Sequence, residues 1–377
     1  MTDRTGELLD ETATPVEKSQ GGGVRVFWPF FIGTDNPISY LYQQIAHEFD
    51  AGEFDITVLA SDEDGLLEAD NVRTIPSAEF YTWAGRLTLA RHAVGSYDLL
   101  HTGGIPALHY PVVLLNRLRN PTATHVHTYR IDADPDSDRT PTALRRRLGR
   151  RADSTTAVSE HTASTVRSTF GLDPVVIYNA VDTAQFHPQY ERPPLLERYG
   201  TERPVFVFVG SFERRKHPLD VISVAERLPE ATFLLIGGGG TQDRDELVAE
   251  RAAEVDNAHV VGRVDKDRLP AVYANADGLL FPSTMEGCPN VVLEAFASGT
   301  PVVGYNATSM PELVVDGQRG YLADNGDLSG LVDGVRSVIG DSTNRLGENA
   351  KGYVHRNHTF ETVAQQYTDV YRTALAE

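Results

Sequence analysis

The chain has 377 residues, 41% of them hydrophobic, and a formal net charge of −19. That length supports two domains with full-sized cores, and the acidic balance argues against nucleic acid as a partner, because phosphate contacts need a basic face. No run of about 18 apolar residues occurs, so no membrane-spanning helix is expected; the N-terminus lacks an apolar signal segment, and the single cysteine, Cys288, excludes an internal disulfide.

Residues 1–22 are polar and acidic and end in a glycine run, which reads as a disordered tail. From Val24 onward apolar strands alternate with helices. Strands are expected at Val24–Phe30, Phe54–Ala60, Val72–Ile75, Tyr97–His101, Thr122–His127, Ser154–Val158 and Val175–Tyr178. Helices fall between them, including a basic one over Pro141–Arg151 and one capped by Ser159 that runs to Phe170. This alternation predicts an α/β architecture with a doubly wound parallel sheet. The polar, proline-rich run from Pro188 to Pro204 reads as a linker. A second α/β unit then begins at Val205–Val209 and continues through Thr232–Ile236, His259–Val261 and Gly278–Phe281. Thr359 caps a last helix with apolar residues at Phe360, Val363, Ala364, Tyr367, Val370 and Tyr371, a 3.6-residue period. The division is therefore 1–22 tail, 23–187 first domain, 188–204 linker, 205–358 second domain and 359–377 closing helix.

The stretch Phe281–Val303 carries the clearest chemistry. It reads as a buried strand, a tight loop, a helix over Asn290–Ser298 and another buried strand. Pro289 fits the first helical position and Gly299 the left-handed cap. Glu286 sits on the loop and Glu294 one turn into the helix, with seven residues between them. The free N–H groups at the helix start suit an anion. Cys288, near that helix start, is expected to have a lowered pKa and raised reactivity.

Glu286, Glu294, Ala295, Ala297, Gly299 and Pro301-Val302-Val303 together resemble the donor-site signature of the family 4 retaining glycosyltransferases. Asn179-Ala180-Val181-Asp182 and Phe186-His187-Pro188 resemble further elements of that family, and the likeness covers Val24–Ala376. The resemblance implies the B-type glycosyltransferase fold: two Rossmann-like doubly wound domains facing across a cleft, the first binding acceptor and the second the nucleotide sugar. In this reading Glu294 holds the ribose hydroxyls, Glu286 the distal hydroxyls of the sugar, and backbone groups of Gly287, Cys288, Pro289, Asn290 and Val291 orient the donor. The closing helix crosses back onto the first domain. The resemblance also implies a cytoplasmic enzyme, able to sit peripherally on the inner face of the membrane, with no metal in its site.

Other motifs are read beside that likeness. Lys216, in Gly210-Ser211-Phe212-Glu213-Arg214-Arg215-Lys216-His217, stands where the family places its phosphate-binding lysine, and a cation there neutralises a leaving diphosphate. Ser211 replaces the arginine that many members have after the glycine, leaving Arg214 or Arg215 to supply a second cation. Gly237–Gly240 begins like a dinucleotide fingerprint, but Gln242 occupies the next required glycine position; a close strand-to-helix turn is the better reading, with Gly238 lining the nucleotide site by resemblance. Arg263 falls where members hold the base. Gly33 and Thr34 form the turn after the first strand, which the family directs at donor and acceptor. His125 and His127 alternate onto one side of a strand, and His127 matches the family's cleft histidine, with a catalytic or a structural role. Asp132–Asp138 has calcium-like spacing but lacks the EF-hand glycine and terminal glutamate, and reads as a solvated loop.

Arg145, Arg146, Arg147, Arg150 and Arg151 put five arginines into seven residues of an acidic chain. They fit either a contact with anionic lipid or pairing with acids such as Asp136 and Asp138. The functional expectation is transfer of a sugar from a nucleoside diphosphate sugar to a hydroxyl of a glycan or lipid-linked acceptor. A nucleotide-sugar epimerase on the same fold and a non-catalytic nucleotide-sugar-binding protein are the alternatives.

Four lysines against thirty arginines, in a chain this acidic, fit an extreme halophile; an ordinary acidic cytosolic protein shares the sign of the charge. Self-repulsion destabilises the compact state at low salt and screening relieves it. The melting temperature is expected to rise from low to molar potassium chloride; a flat or falling curve would remove the halophile reading.

Overall fold

The computed structural model describes residues 23–32, 37–60, 70–76, 82–103, 106–130, 142–199 and 204–376. Its elements are β1 (Val24–Ile32), α1 (Pro37–His47), β2 (Phe54–Ala60), β3 (Val72–Pro76), α2 (Trp83–Ala93), β4 (Leu99–Gly103), α3 (Pro106–Arg119), β5 (Thr124–Tyr129), α4 (Thr142–Gly149), β6 (Ser154–Ala157), α5 (Glu160–Phe170) and β7 (Val175–Val176). Then follow α6 (Pro194–Tyr199), β8 (Val205–Gly210), α7 (Pro218–Arg227), β9 (Thr232–Gly237), α8 (Gln242–Ala253), β10 (Ala258–Gly262), α9 (Leu269–Ala274), β11 (Gly278–Phe281), α10 (Asn290–Ala297), β12 (Val302–Tyr305), α11 (Met310–Leu313), β13 (Gly320–Ala323), α12 (Leu328–Ile339), α13 (Arg345–Asn357) and α14 (Phe360–Ala376).

The strands form a seven-stranded sheet of order β3-β2-β1-β4-β5-β6-β7 and a six-stranded sheet of order β10-β9-β8-β11-β12-β13. Every neighbouring pair of the six-stranded sheet runs parallel. Each order starts in the middle, runs to one edge, then returns to the other side of the first strand, as in doubly wound folds. Strands covered on both faces need apolar residues at every position. Val205–Val209 and Phe233–Ile236 meet that need and are buried throughout.

By compactness the chain divides into two units, and the six-stranded sheet lies wholly within one of them. One holds the described residues up to His127, Ala143–Asp153 and the residues from Tyr371; the other holds Thr128–Arg130 and Ser154–Val370. The strands β6 and β7 fall in the second unit because their surroundings tie to it: Tyr178 Oη donates to Glu312 (2.7 Å), and His358 Nδ1 bonds the Asn179 carbonyl (2.9 Å).

Most expected elements are present, with local differences. The fourth and fifth strands start two residues later than expected. Asp98 precedes β4 with its carboxylate taken by Arg25, which donates from its backbone (2.9 Å) and from its guanidinium (2.8 Å). The run expected as a linker contains α6, whose Leu196 is fully buried in the core of the second unit. Between Tyr305 and Thr359, where no element was expected, lie α11, β13, α12 and α13. Asp327 caps α12 by accepting from Ser329 N and Gly330 N, both at 3.0 Å. The expected tail lies outside the described residues.

The first unit has an aromatic centre. Trp28 on β1 meets Tyr42 edge-on at 5.2 Å, and Tyr371 stacks on Phe49 at 5.6 Å. Trp28 Nε1 donates to Tyr371 Oη (3.0 Å), which lies 2.5 Å from His101 Nδ1. Among the described residues, no helix is long and apolar enough to cross a membrane. On and after α4, Arg146, Arg147, Arg150 and Arg151 are exposed and Arg145 is half-buried, while Asp136 and Asp138 lie outside the described residues.

Several histidines are buried. Burial lowers His109 and His358 to about 4 and His125 to about 3. The unfolded chain takes up their protons near 6.5, so the stability they contribute is complete above that pH and is lost as pH falls below it. Each group weakens the fold by ~1.4 kcal/mol per pH unit over that window. The midpoint of urea unfolding is expected to drop steeply between pH 6.5 and 4; a constant midpoint would show these histidines charged or exposed in the native state.

Candidate functional site

In the six-stranded sheet β8 has β9 on one side and β11 on the other. The chain leaves the carboxyl ends of β8 and β11 in opposite directions, which opens a crevice at the point of reversal. The loop after β8 runs into a 3-10 turn, Arg214–Lys216. The loop after β11 spans residues 282–289. Thr284 N donates to the Arg215 carbonyl (2.9 Å), as does Thr284 Oγ1 (3.2 Å), so the two loops are stitched together.

This stitching brings Lys216 and Glu286 into an ion pair, with side chains only 13% and 10% exposed. Ser283 Oγ donates to the same carboxylate oxygen at 2.5 Å, and Arg215 Nη1 reaches it at 3.3 Å. Lys216 Nζ also sits 4.8 Å above the Phe281 ring. Burial lowers the Lys216 pKa, and the adjacent Glu286 charge opposes that shift. The Glu286 backbone is held as well: its N–H donates to Thr308 Oγ1 (3.0 Å), and Ser309 Oγ donates to its carbonyl (3.2 Å). Arg215 thus shares the Glu286 carboxylate with Lys216, whereas Arg214 is exposed and Ser211 is half-buried.

Gly287 is required by space, since a Cβ there would overlap the Arg130 carbonyl oxygen. Asn179 Nδ2 donates to the Cys288 carbonyl (2.9 Å) and to Asn290 Oδ1 (2.8 Å), fixing the start of α10. Pro289 caps that helix from outside, with φ −74° and ψ 112°, instead of forming its first residue, and Val291 is half-buried. Gly299 has the expected left-handed φ of 76°. The expectation for Cys288 is overturned: its thiol is buried, and burial pushes it up to about 12, outweighing any pull from the helix start.

Glu294 lies half-buried on α10 and accepts from Tyr273 Oη of α9 at 3.1 Å. Burial pushes its carboxyl up to about 7, against the Tyr273 hydrogen bond and the charge of Lys266. Gly237, Gly238 and Gly239 all have positive φ, and a Cβ on Gly237 would overlap the Gly210 carbonyl. The N–H groups of Gly239 (2.7 Å) and Gly240 (3.1 Å) donate to Asp245. A carboxylate of the chain therefore fills the position where a dinucleotide fingerprint holds pyrophosphate. The exposed Arg263 packs over this turn, its Nη2 within 2.5 Å of where a Gly239 Cβ would stand.

His127 belongs to the first unit and is buried. Its Nδ1 (2.9 Å) and His125 Nε2 (2.8 Å) meet at Thr102 Oγ1, as their shared side of the strand predicts. Burial keeps the His127 pKa well below its usual value, so the ring is neutral at pH 7. Gly33, Thr34 and Asp132–Asp138 lie outside the described residues. Among the described residues, no three His, Cys, Asp or Glu side chains group so as to hold a metal ion.

Sequence reasoning missed Tyr273, Thr308, Ser309 and Glu312. Glu312 accepts from the N–H groups of Glu160 and His161, both at 2.8 Å, and so caps α5. An acid directly after Met310-Pro311 was its one visible signal; Tyr273 had none, because no spacing rule joins α9 to α10.

Two family models match the chain: "Glycosyl transferases group 1" over residues 197–353 and "Glycosyltransferase Family 4" over residues 39–185. The chain belongs to the family 4 glycosyltransferases. It is 32% identical to a GDP-mannose-dependent α-(1-6)-phosphatidylinositol monomannoside mannosyltransferase of Mycolicibacterium smegmatis, over 53% of this chain and 55% of that one. It is 32% identical to a glycogen synthase of Mycobacterium tuberculosis, over 60% and 56%. The chain thus spans little more than half the length of these relatives. Among solved structures, a sucrose-phosphate synthase from Thermosynechococcus elongatus superposes with a TM-score of 0.78 at 20% identity, covering 94% of this chain and 99% of that one. Anabaena Alr3699/HepE in complex with UDP and glucose does so at 0.76 and 18%, covering 93% and 100%. These superpositions show the B-type glycosyltransferase fold.

A buried thiol held at about 12 reacts slowly. Iodoacetamide at pH 7.5 is expected to label Cys288 only after denaturation; rapid labelling of the folded protein would restore the reactive reading.

Proposed function

We propose that this glycosyltransferase moves a sugar from a nucleoside diphosphate sugar to an acceptor hydroxyl, with retention at the anomeric carbon. The observation that carries the reading is the Lys216–Glu286 pair at the switch point, with Arg215 on the same carboxylate. A leaving diphosphate develops charge as the glycosidic bond breaks, and positioned cations stabilise that charge more in the transition state than in the ground state. Lys216 and Arg215 are the cations at hand, so the proposal assigns neutralisation to them and needs no metal. When diphosphate takes over their charge, the Glu286 carboxylate turns to hydroxyls of the sugar. Glu294 is engaged separately by Tyr273, which suits a second contact at the ribose. Solved structures of Alr3699/HepE contain UDP and UDP-glucose, which supports a nucleotide sugar as donor here. The epimerase and the non-catalytic binding protein gain no support from the relatives' names.

Two carboxylates in different environments should separate in measurement. Ribose hydroxyls donate best to an ionised Glu294, whose carboxyl titrates near 7 when free. Affinity for nucleoside diphosphate is therefore expected to rise from pH 5.5 to 7, about tenfold per unit at the acid end, and to level off above. Glu294→Gln should flatten that profile, and Glu294→Ala should raise the donor KM while weakening free nucleoside diphosphate. Glu286→Ala should lower kcat and leave nucleoside diphosphate affinity within about threefold. Calorimetry with steady-state kinetics on a panel of nucleotide sugars checks this. If Glu286→Ala loses nucleotide affinity while Glu294→Ala keeps it, the two roles are exchanged; if neither variant alters binding or rate, the donor site lies elsewhere.

A further inference from the structure

Three non-glycine residues among those described have positive φ: His217 at 50°, Thr308 at 47° and Asn344 at 51°. Asparagine tolerates this region; a β-branched residue does not, because its Cβ substituents crowd the backbone. Strain of this kind persists only where the surroundings hold it, and it gathers at working sites. Thr308 lies between β12 and α11, and its hydroxyl oxygen is the acceptor for the Glu286 N–H at 3.0 Å. The next residue, Ser309, is fully buried and donates to the Glu286 carbonyl at 3.2 Å. Two consecutive side chains thus grip both polar groups of the peptide backbone at Glu286. Four residues on, Glu312 is anchored to the first turn of α5, so the gripping segment is itself fixed.

A glycine at 308 would adopt the same φ without crowding, but it has no hydroxyl. The strained threonine therefore makes sense as the residue that brings an oxygen to the Glu286 N–H. We infer that Thr308 is a positioning residue for the sugar-contacting Glu286, holding its carboxylate in register with Lys216 at the expense of local backbone comfort. This deepens the proposed function and rests on its assignment of Glu286 to the transferred sugar.

The test compares Thr308→Gly and Thr308→Ser with the unaltered protein by three readouts. The first is hydrogen exchange at the Glu286 amide, which needs no activity. It is expected to quicken at least tenfold in Thr308→Gly and to stay near its original rate in Thr308→Ser. The second is thermal stability, expected to hold or rise in Thr308→Gly because the strain is relieved. The third is kinetics on the best nucleotide sugar: kcat should fall about tenfold or more in Thr308→Gly with nucleoside diphosphate affinity unchanged, and Thr308→Ser should recover most of it. Unchanged amide exchange in Thr308→Gly would overturn the grip. Quickened exchange with kcat intact would overturn the positioning role. A fall in kcat accompanied by an equal loss of stability in both variants would mark Thr308 as merely structural. Should the unaltered protein neither bind nor turn over any nucleotide sugar, the proposed function fails and takes the positioning role with it, while the exchange rates still report on the grip.

Discussion

The ion pair between Lys216 and Glu286 is the constraint to which the rest of the second unit answers. An ammonium and a carboxylate that are both nearly buried are stable together and very unfavourable apart. The pair therefore demands two loops that arrive at one point, and parallel strands that deliver them. Val205–Gly210 and Gly278–Phe281 lie side by side in the sheet because their apolar runs can be covered on both faces. The loops then meet where the winding reverses, and Thr284 locks them through a single carbonyl, that of Arg215. Glycine at 287 lets the second loop pass against Arg130. Each of these features would be unremarked alone; together they keep two opposite charges in contact and out of bulk water.

Much of this was legible in the sequence, for reasons that differ by element. The strands of the six-stranded sheet could be read because complete burial leaves no polar positions in them. The Lys216 and Glu286 positions could be read because scarce lysine and a Glu-x7-Glu spacing stand out against their surroundings, and because the family likeness names them. Their direct contact could not be read, since it depends on the order of strands in the sheet, which no local pattern states. The same holds for Tyr273 and Glu294, which meet across two helices.

Cys288 shows the opposite failure. Its position beside a helix start suggested a reactive thiolate, but proximity in sequence says nothing about desolvation. Burial dominates here, because a helix end contributes only a fraction of a charge. The elements after Tyr305 are a different case. Neither α12 nor its Asp327 cap was read from the sequence, and α11 has four residues, too few to show a period. The run expected as a linker carries Leu196 into the core: a proline-rich, polar stretch can still hold one side chain that the core needs.

The aromatic centre of the first unit has a kinetic consequence. Trp28 and Tyr371, joined by a hydrogen bond, stand 343 residues apart in the sequence. During synthesis the early strands emerge first, yet the ring that completes their core is made only after the second unit. Until then Trp28, Phe49 and His101 have no Tyr371 to close over them, so a nascent chain carries an unfinished apolar surface while the whole second unit is being translated. Domains that fold as they emerge escape that interval. This one cannot, because its aromatic centre closes only once Tyr371 has been made.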